Sequence, residues 1–273
     1  MRRRHNPYVW SIPLMILLVV ILIPYVWIIL ASFKQRADLL TTPPRWLFDV
    51  TFENYRQILS EKGFDTYLLN SLVIGFASTA LAVTVGTLAA YAFSRFKVPA
   101  GDHIFFYILA TRLGPPVAYA LPMYLVFFKL GLLNLQVGVI LAHATFNLVL
   151  VVWMMKSFFD DVPREIEEAA YLDGCSPFQV FRLVSLPLTY PGLVTVAIFV
   201  LIFSWNELLF ALILSAGEMR TLTVMIPSLV LHTGTLWGQV AAASVVQSLP
   251  VLVFTFFIQK HLVRGLTFGA VKG

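Results

Sequence analysis

Apolar runs of about 20 residues recur along this chain, beginning with SIPLMILLVVILIPYVWIILASF at Ser11–Phe33. A run of that length, wound as a helix, crosses a hydrocarbon core of about 30 Å. A chain that repeats it has few folds open to it, because backbone groups in lipid must pair within their own segment. Composition agrees: the chain is 59% hydrophobic and only 12% charged, against about 25% charged in soluble domains. The expectation is an all-α, polytopic membrane protein.

Six spans account for the pattern, at about 11–33, 67–93, 104–128, 136–158, 189–214 and 238–260, within one transmembrane domain over 1–273. The third contains Gly114, Pro115, Pro116 and Pro122, so it reads as kinked or as a cavity wall. Pro24 and Pro250 predict kinks of the same kind in the first and last. The basic start, MRRRHN, mimics a secretory signal. The apolar stretch behind it outruns a signal h-region of about 7–15 residues, with no small-x-small site after it. It reads as an uncleaved first span.

The net charge of +5 does not point to nucleic acid, because the basic residues are scattered through short loops. They orient the chain instead. With the N-terminus inside, eleven of the 19 Lys and Arg fall in inner segments and seven outside, with Arg112 inside a span. An N-in, C-in topology follows. The single cysteine, Cys175, excludes an internal disulfide and any multi-cysteine metal site. The five histidines form no metal-ligand spacing.

On this topology the longest inner loop is 159–188, and it is punctuated for two helices. Pro163 suits a first turn, and Glu165, Glu167 and Glu168 complement the positive end of a helix. Gly174 is a natural left-handed stop. Ser176-Pro177-Phe178-Gln179 then restarts the chain as a capping box, and Pro187 is expected to end the second helix. So stiff a protrusion, with a small, flat Ala169-Ala170 step, suits docking against another protein.

The spacing within this loop is similar to the EAA loop of bacterial ABC importer permeases. Glu168-Ala169-Ala170 is followed by three residues, the last of them Asp173, then Gly174, then nine more residues and Val184-x-Leu186-Pro187. WNELLFAL in the fifth span and RGLTFGAVKG at the C-terminus resemble the smaller, six-span subunit of the carbohydrate, maltose-type branch. Cys175 stands where alanine is common, and valine replaces isoleucine at 184.

The resemblance implies a type I importer permease fold in a bacterial cytoplasmic membrane, with the loop seated in a cleft of an ATPase. Glu168, Ala169, Ala170, Asp173, Gly174, Leu186 and Pro187 would form that coupling surface. It also implies partners: a homologous second permease, two ATPase subunits and an extracytoplasmic solute-binding protein, with a carbohydrate as cargo. The chain has no G-x-x-x-x-G-K-[ST] phosphate loop. It is therefore expected to bind no cofactor and catalyse nothing, leaving ATP and magnesium to the ATPase.

Polar groups inside the spans are the candidates for the pathway. Trp205, Asn206 and Glu207 offer an indole, an amide and a carboxylate, suited to sugar hydroxyls and ring faces. Asn206 and Glu207 could equally hydrogen-bond neighbouring helices. Arg112 could pair with Glu207 or line the path, and His143 and Asn147, one turn apart, read as packing. A secondary transporter is the rival reading. It calls for acids at mid-membrane and usually an internal repeat, and Glu207 alone qualifies, without an evident repeat. A membrane enzyme would need paired catalytic groups inside the spans, which the sequence lacks.

Overall fold

The computed structural model describes residues 8–61, 63–231 and 234–268. Arg2, Arg3, Arg4, Lys62, Lys272 and the closing GAVKG lie outside the described residues, so their part in the orientation and resemblance rests on sequence. The chain divides into two compact units: Met1–Asp65 with Ile226–Leu249, and Thr66–Met225 with Pro250–Gly273.

The first unit begins with α1 (Tyr8–Ser32), apolar and exposed on all sides over residues 11–26, as a helix facing lipid should be, and buried at its end, at Ala31 and Ser32. Short helices α2 (Arg36–Leu39) and α3 (Glu53–Glu61) follow. Between α1 and α2 lies a lysine, one of the seven basic residues assigned to outer segments. Lys34 is 1% exposed; its Nζ donates to the Arg45 carbonyl at 2.6 Å and lies over Trp27 and Phe48, 4.5 and 4.8 Å from their ring centroids. The Asn54 amide donates to the Ser32 and Lys34 carbonyls, both at 2.9 Å, satisfying the end of α1. A two-strand hairpin, β1 (Val230–Leu231) and β2 (Gly234–Thr235), completes the exceptions to helix.

The second unit is built on α4 (Phe64–Arg95), α7 (Gln136–Asp160) and α11 (Tyr190–Trp205). Helices in lipid gain little from hydrophobic burial against one another and depend on close contact. Two glycines supply it. A Cβ on Gly86 would sit 2.7 Å from Val151, and one on Gly192 would sit 2.6 Å from the Phe158 ring. Around these contacts Tyr91, Val151, Met155, Phe159, Phe181 and Val200 make a buried cluster. A second cluster collects Ile74, Val139, Ala142, Phe210, Leu214 and Val224.

Among the described residues four helices are long and apolar enough to cross a bilayer: Ser11–Ser32, Phe64–Arg95, Gln136–Asp160 and Trp237–Phe256, the last within α14 (Trp237–Phe268). The expected third span is instead two helices, α5 (Gly101–Ala110) and α6 (Pro116–Lys129). Pro116, with no N–H to give, starts the second of them. The expected fifth span is broken as well. It stops at Trp205 and resumes as α12 (Leu209–Leu214), without proline or glycine between. A six-span chain is compatible with this inventory, two of its spans being discontinuous. After α12 come a single 3-10 turn (Gly217–Met219) and α13 (Leu222–Ser228).

Candidate functional site

Between α7 and α11 the loop folds as expected in outline. α8 (Arg164–Leu172) begins after Pro163. It ends in a Schellman motif: Cys175 N–H reaches the Ala170 carbonyl and Gly174 N–H the Tyr171 carbonyl, both at 3.0 Å. Gly174 has φ +87°, the left-handed conformation that closes this motif and that side chains with a Cβ resist. Ser176 and Gln179 form the reciprocal capping box at the start of α9 (Pro177–Val180).

The end of the second helix departs from expectation. Pro187 does not stop it. The chain widens into a π turn (Phe181–Ser185), where Leu186 N–H bonds to the Phe181 carbonyl, and continues through Pro187 as α10 (Leu186–Leu188). A π turn shifts the donor register by one residue, and here it adjoins the position where proline brings no donor. The break comes at Thr189 instead, with a bend of 79° into α11. The Thr189 hydroxyl donates to the Ser185 carbonyl at 3.0 Å there.

The three acids of α8 were expected to act alike, as complements to a helix dipole. They do not. Glu168 is exposed, with Ala169 beside it, Ala170 half-buried and Asp173 and Gly174 open. Leu186 is half-buried and Pro187 exposed. Large apolar side chains stand out among them, Leu172 at 89% exposure and Phe178 at 64%. Glu167 turns the other way. Its Oε2 accepts from Arg95 Nε at 2.7 Å and its Oε1 from the Ser185 hydroxyl at 2.7 Å. Arg95 spends its remaining donors on the carbonyls of Phe159 (2.7 Å) and Val162 (3.0 Å) and on the Ser94 hydroxyl (2.9 Å). Ser94 donates in turn to Asp160 at 2.6 Å. Sequence reasoning missed Arg95, Ser94, Asp160 and Ser185. The only signal was an arginine directly at the end of a long apolar run.

The candidate pathway residues are dispersed. Trp205 is buried, with its ring 3.8 Å from where a Cβ on Gly75 would lie. Asn206 is exposed and its amide donates to the Ile202 carbonyl at 2.9 Å. Arg112 does not pair with Glu207. Its Nη1 donates to the Phe146 carbonyl at 2.6 Å, and its guanidinium lies 5.3 Å from the Phe203 ring.

Glu207 caps the resumed helix, Oε1 accepting from Phe210 N–H at 3.0 Å and Oε2 from Ala211 N–H at 3.1 Å. The same Oε2 lies 3.0 Å from His143 Nε2. His143 Nδ1 meets the Ser204 hydroxyl at 2.9 Å, and Ser204 meets Ser78 at 2.7 Å. His143 and Ser204 thus link the Glu207 carboxylate to Ser78, whose hydroxyl also lies 3.2 Å from the Gly75 carbonyl. Thr223 Oγ1 donates to the Glu207 carbonyl at 2.9 Å. The break therefore ties α4, α7, α11 and α12 together. His143 is a member of that network, where the sequence suggested mere packing.

A membrane-embedded bundle with a stiff, exposed helix pair on one loop and a capped break in a span defines a class of transport subunit. The family described as "Binding-protein-dependent transport system inner membrane component" matches residues 82–268, and the chain belongs to it. It is thus a multi-pass membrane permease of such a system, a component distinct from the one that hydrolyses ATP. It is 35% identical over 270 residues to the probable ABC transporter permease protein y4oR of Sinorhizobium fredii, covering 99% of this chain and 97% of that one. It is 38% identical over 260 residues to the trehalose transport system permease protein SugB of Mycobacterium tuberculosis, covering 92% and 93%. Its fold is similar to a chain of a bacterial ABC transporter involved in the import of the acidic polysaccharide alginate, with TM-score 0.78, 23% identity and coverage of 93% and 95%.

Proposed function

We propose that this chain is one of two homologous membrane subunits of an ATP-driven importer for a carbohydrate, in a bacterial cytoplasmic membrane. Two ATPase subunits bind the α8–α10 element and handle ATP with magnesium, while a solute-binding protein delivers the cargo from outside. The observation that carries the reading is the α8–α10 element itself: exposed apolar residues and Glu168 on one side, and on the other a buried anchor to the bundle. A stiff element of this kind can convert movement of a partner into rigid-body movement of helices. The carbohydrate class is supported by the relatives, one a trehalose permease by name.

Among the pathway candidates, Asn206 and Arg112 keep polar atoms on exposed surface and are the better contacts for cargo. Trp205 and Glu207 serve the packing around the break.

The reading is tested by reconstituting the chain with its ATPase and binding protein in lipid. Sugar-loaded binding protein should accelerate ATP hydrolysis and drive uptake. Uptake by the chain alone, driven by an ion gradient, would establish a secondary transporter instead. Orientation is checked at Cys175, which a membrane-impermeant thiol reagent should reach only from the cytoplasmic face when the ATPases are absent.

A further inference from the structure

Covalent continuity explains how a movement of α8–α10 reaches α7 and α11, which flank the loop. It does not explain how the movement would reach α4, which ends 72 residues before Glu167 in sequence. The structure closes that gap through Arg95, the last residue of α4.

We infer that Arg95 is a positioning residue for energy coupling: clamped on Glu167, it locks the inner end of α4 to the coupling element, so that three spans move as one body. This rests on the coupling role proposed above.

Arg95 and Glu167 side chains are 7% and 6% exposed, so the pair is shielded from water and from salt. The guanidinium is a planar fork and is used as one. One arm takes the Glu167 carboxylate of α8, another the Phe159 and Val162 carbonyls at the end of α7, and the third the Ser94 hydroxyl. Arg95 thereby adds a donor to the Phe159 carbonyl, which also accepts from Val162 N–H at 3.1 Å, and to the Val162 carbonyl just beyond α7. Glu167 is held from the far side by Ser185 in the π turn. Ser185 also meets the Val180 carbonyl at 3.3 Å, while its own carbonyl accepts from Thr189 at the bend into α11. A second strut runs beside the first: Ser94 to Asp160, and Asp160 to Lys156 at 2.7 Å. Arg164 of α8 adds a bond to the Ser94 carbonyl at 3.3 Å. Arg95 and Glu167 stand at the centre of these joints, with the Ser94 bonds to Asp160 and Arg164 beside them.

A joint that only stabilised the fold would tolerate any substitution that kept the complex assembled. A transmitting joint would not. The test uses the complete transporter in lipid, with Cys175→Ser as background. In Arg95→Lys and Glu167→Gln the complex should assemble with its ATPase. The ratio of hydrolysis with loaded binding protein to hydrolysis without it should fall by about tenfold, toward one. Arg95→Cys with Glu167→Cys, bridged after assembly by a short bis-methanethiosulfonate that forms one disulfide with each cysteine and releases methanesulfinate, should regain the ratio and lose it again on reduction. Because the bridge can be made and cut in an assembled complex, poor assembly of the single variants does not weaken the test.

Wild-type stimulation and uptake in Arg95→Lys and Glu167→Gln would overturn the inference, as would a bridged pair that stays uncoupled. Glu168→Lys and Gly174→Val separate it from the reading beneath. If those two uncouple and the Arg95 variants do not, only the clamp is wrong. If none uncouples, the coupling role of the loop itself is wrong.

Discussion

Glu167 sits in the loop between two spans and faces an arginine; Glu207 sits at a break inside a span and faces a histidine. Both are carboxylates in apolar surroundings, and in both each oxygen is hydrogen-bonded. Their side chains differ in exposure, 6% against 21%, and in the charge opposite. Arginine is permanently charged, and its fork fixes orientation as well as distance. Histidine changes charge easily, and two of the three donors on Glu207 are amides of the helix it caps. The first carboxylate joins elements into a rigid piece. The second lets a span stop and restart within the bundle without stranding backbone donors, which water would otherwise have to satisfy.

The largest effect that would sharpen this contrast is on stability. Glu207→Ala strands the N–H groups of Phe210 and Ala211 and leaves His143 without an acceptor, an expected loss of about 1–3 kcal/mol. Thermal unfolding of the purified chain in detergent should register it as a lowered midpoint. Asn206→Ala, one residue away but exposed, should leave that midpoint unchanged while weakening uptake. If the two behave alike, the break does not divide packing from pathway as described.

A smaller effect is expected on the exposed side of the loop. Glu168→Lys should fold normally, since Glu168 is exposed and surface charges contribute only about 0–1 kcal/mol. Its defect should be in stimulated ATP hydrolysis. It should deepen at low ionic strength, where a repulsion at the ATPase surface is least screened. A defect independent of salt would mean that charge is not what the partner reads at this position.

The smallest is Ser176→Ala, which removes one half of the capping box at a cost of about 1 kcal/mol. Hydrogen exchange at the Gln179 amide should accelerate in this variant, with uptake only slightly reduced.

How much of this was visible beforehand depends on the range of the signal. Gly174 and the Ser176–Gln179 box were legible because their consequences are local: a left-handed residue and a reciprocal cap need only a few neighbours. The interruption at Gly114-Pro115-Pro116 was legible for the same reason, although it separates two helices where a kink or cavity wall was expected. Pro187 misled because the rule that proline ends a helix assumes an α register, and the π turn before it changes that register. The break after Trp205 carries no proline or glycine. It is enforced by His143, 64 residues away in sequence, and by the helix cap Glu207 provides. Glu165, Glu167 and Glu168 look alike in sequence, and only the end of α4 decides which one is buried. Long-range pairing of polar groups is what a single sequence does not display.

If α8–α10 couples ATP hydrolysis to movement of the spans, Gly174 is where that coupling can be broken through the backbone. Beyond its chain neighbours, no atom of this chain lies within 4 Å of a Cβ built at Gly174, so within the chain Gly174→Val acts through the backbone, a β-branched residue forced to φ +87°. That strain is of order 1–3 kcal/mol and would change the angle between α8 and α9 while the bundle inserts normally. The decisive measurement is ATP hydrolysis by the purified Gly174→Val complex in lipid, with and without loaded binding protein. Coupling through the loop predicts normal abundance in the membrane, basal hydrolysis, and loss of stimulation together with uptake. Full stimulation and full uptake would show that the loop is a spacer, and the account would be wrong.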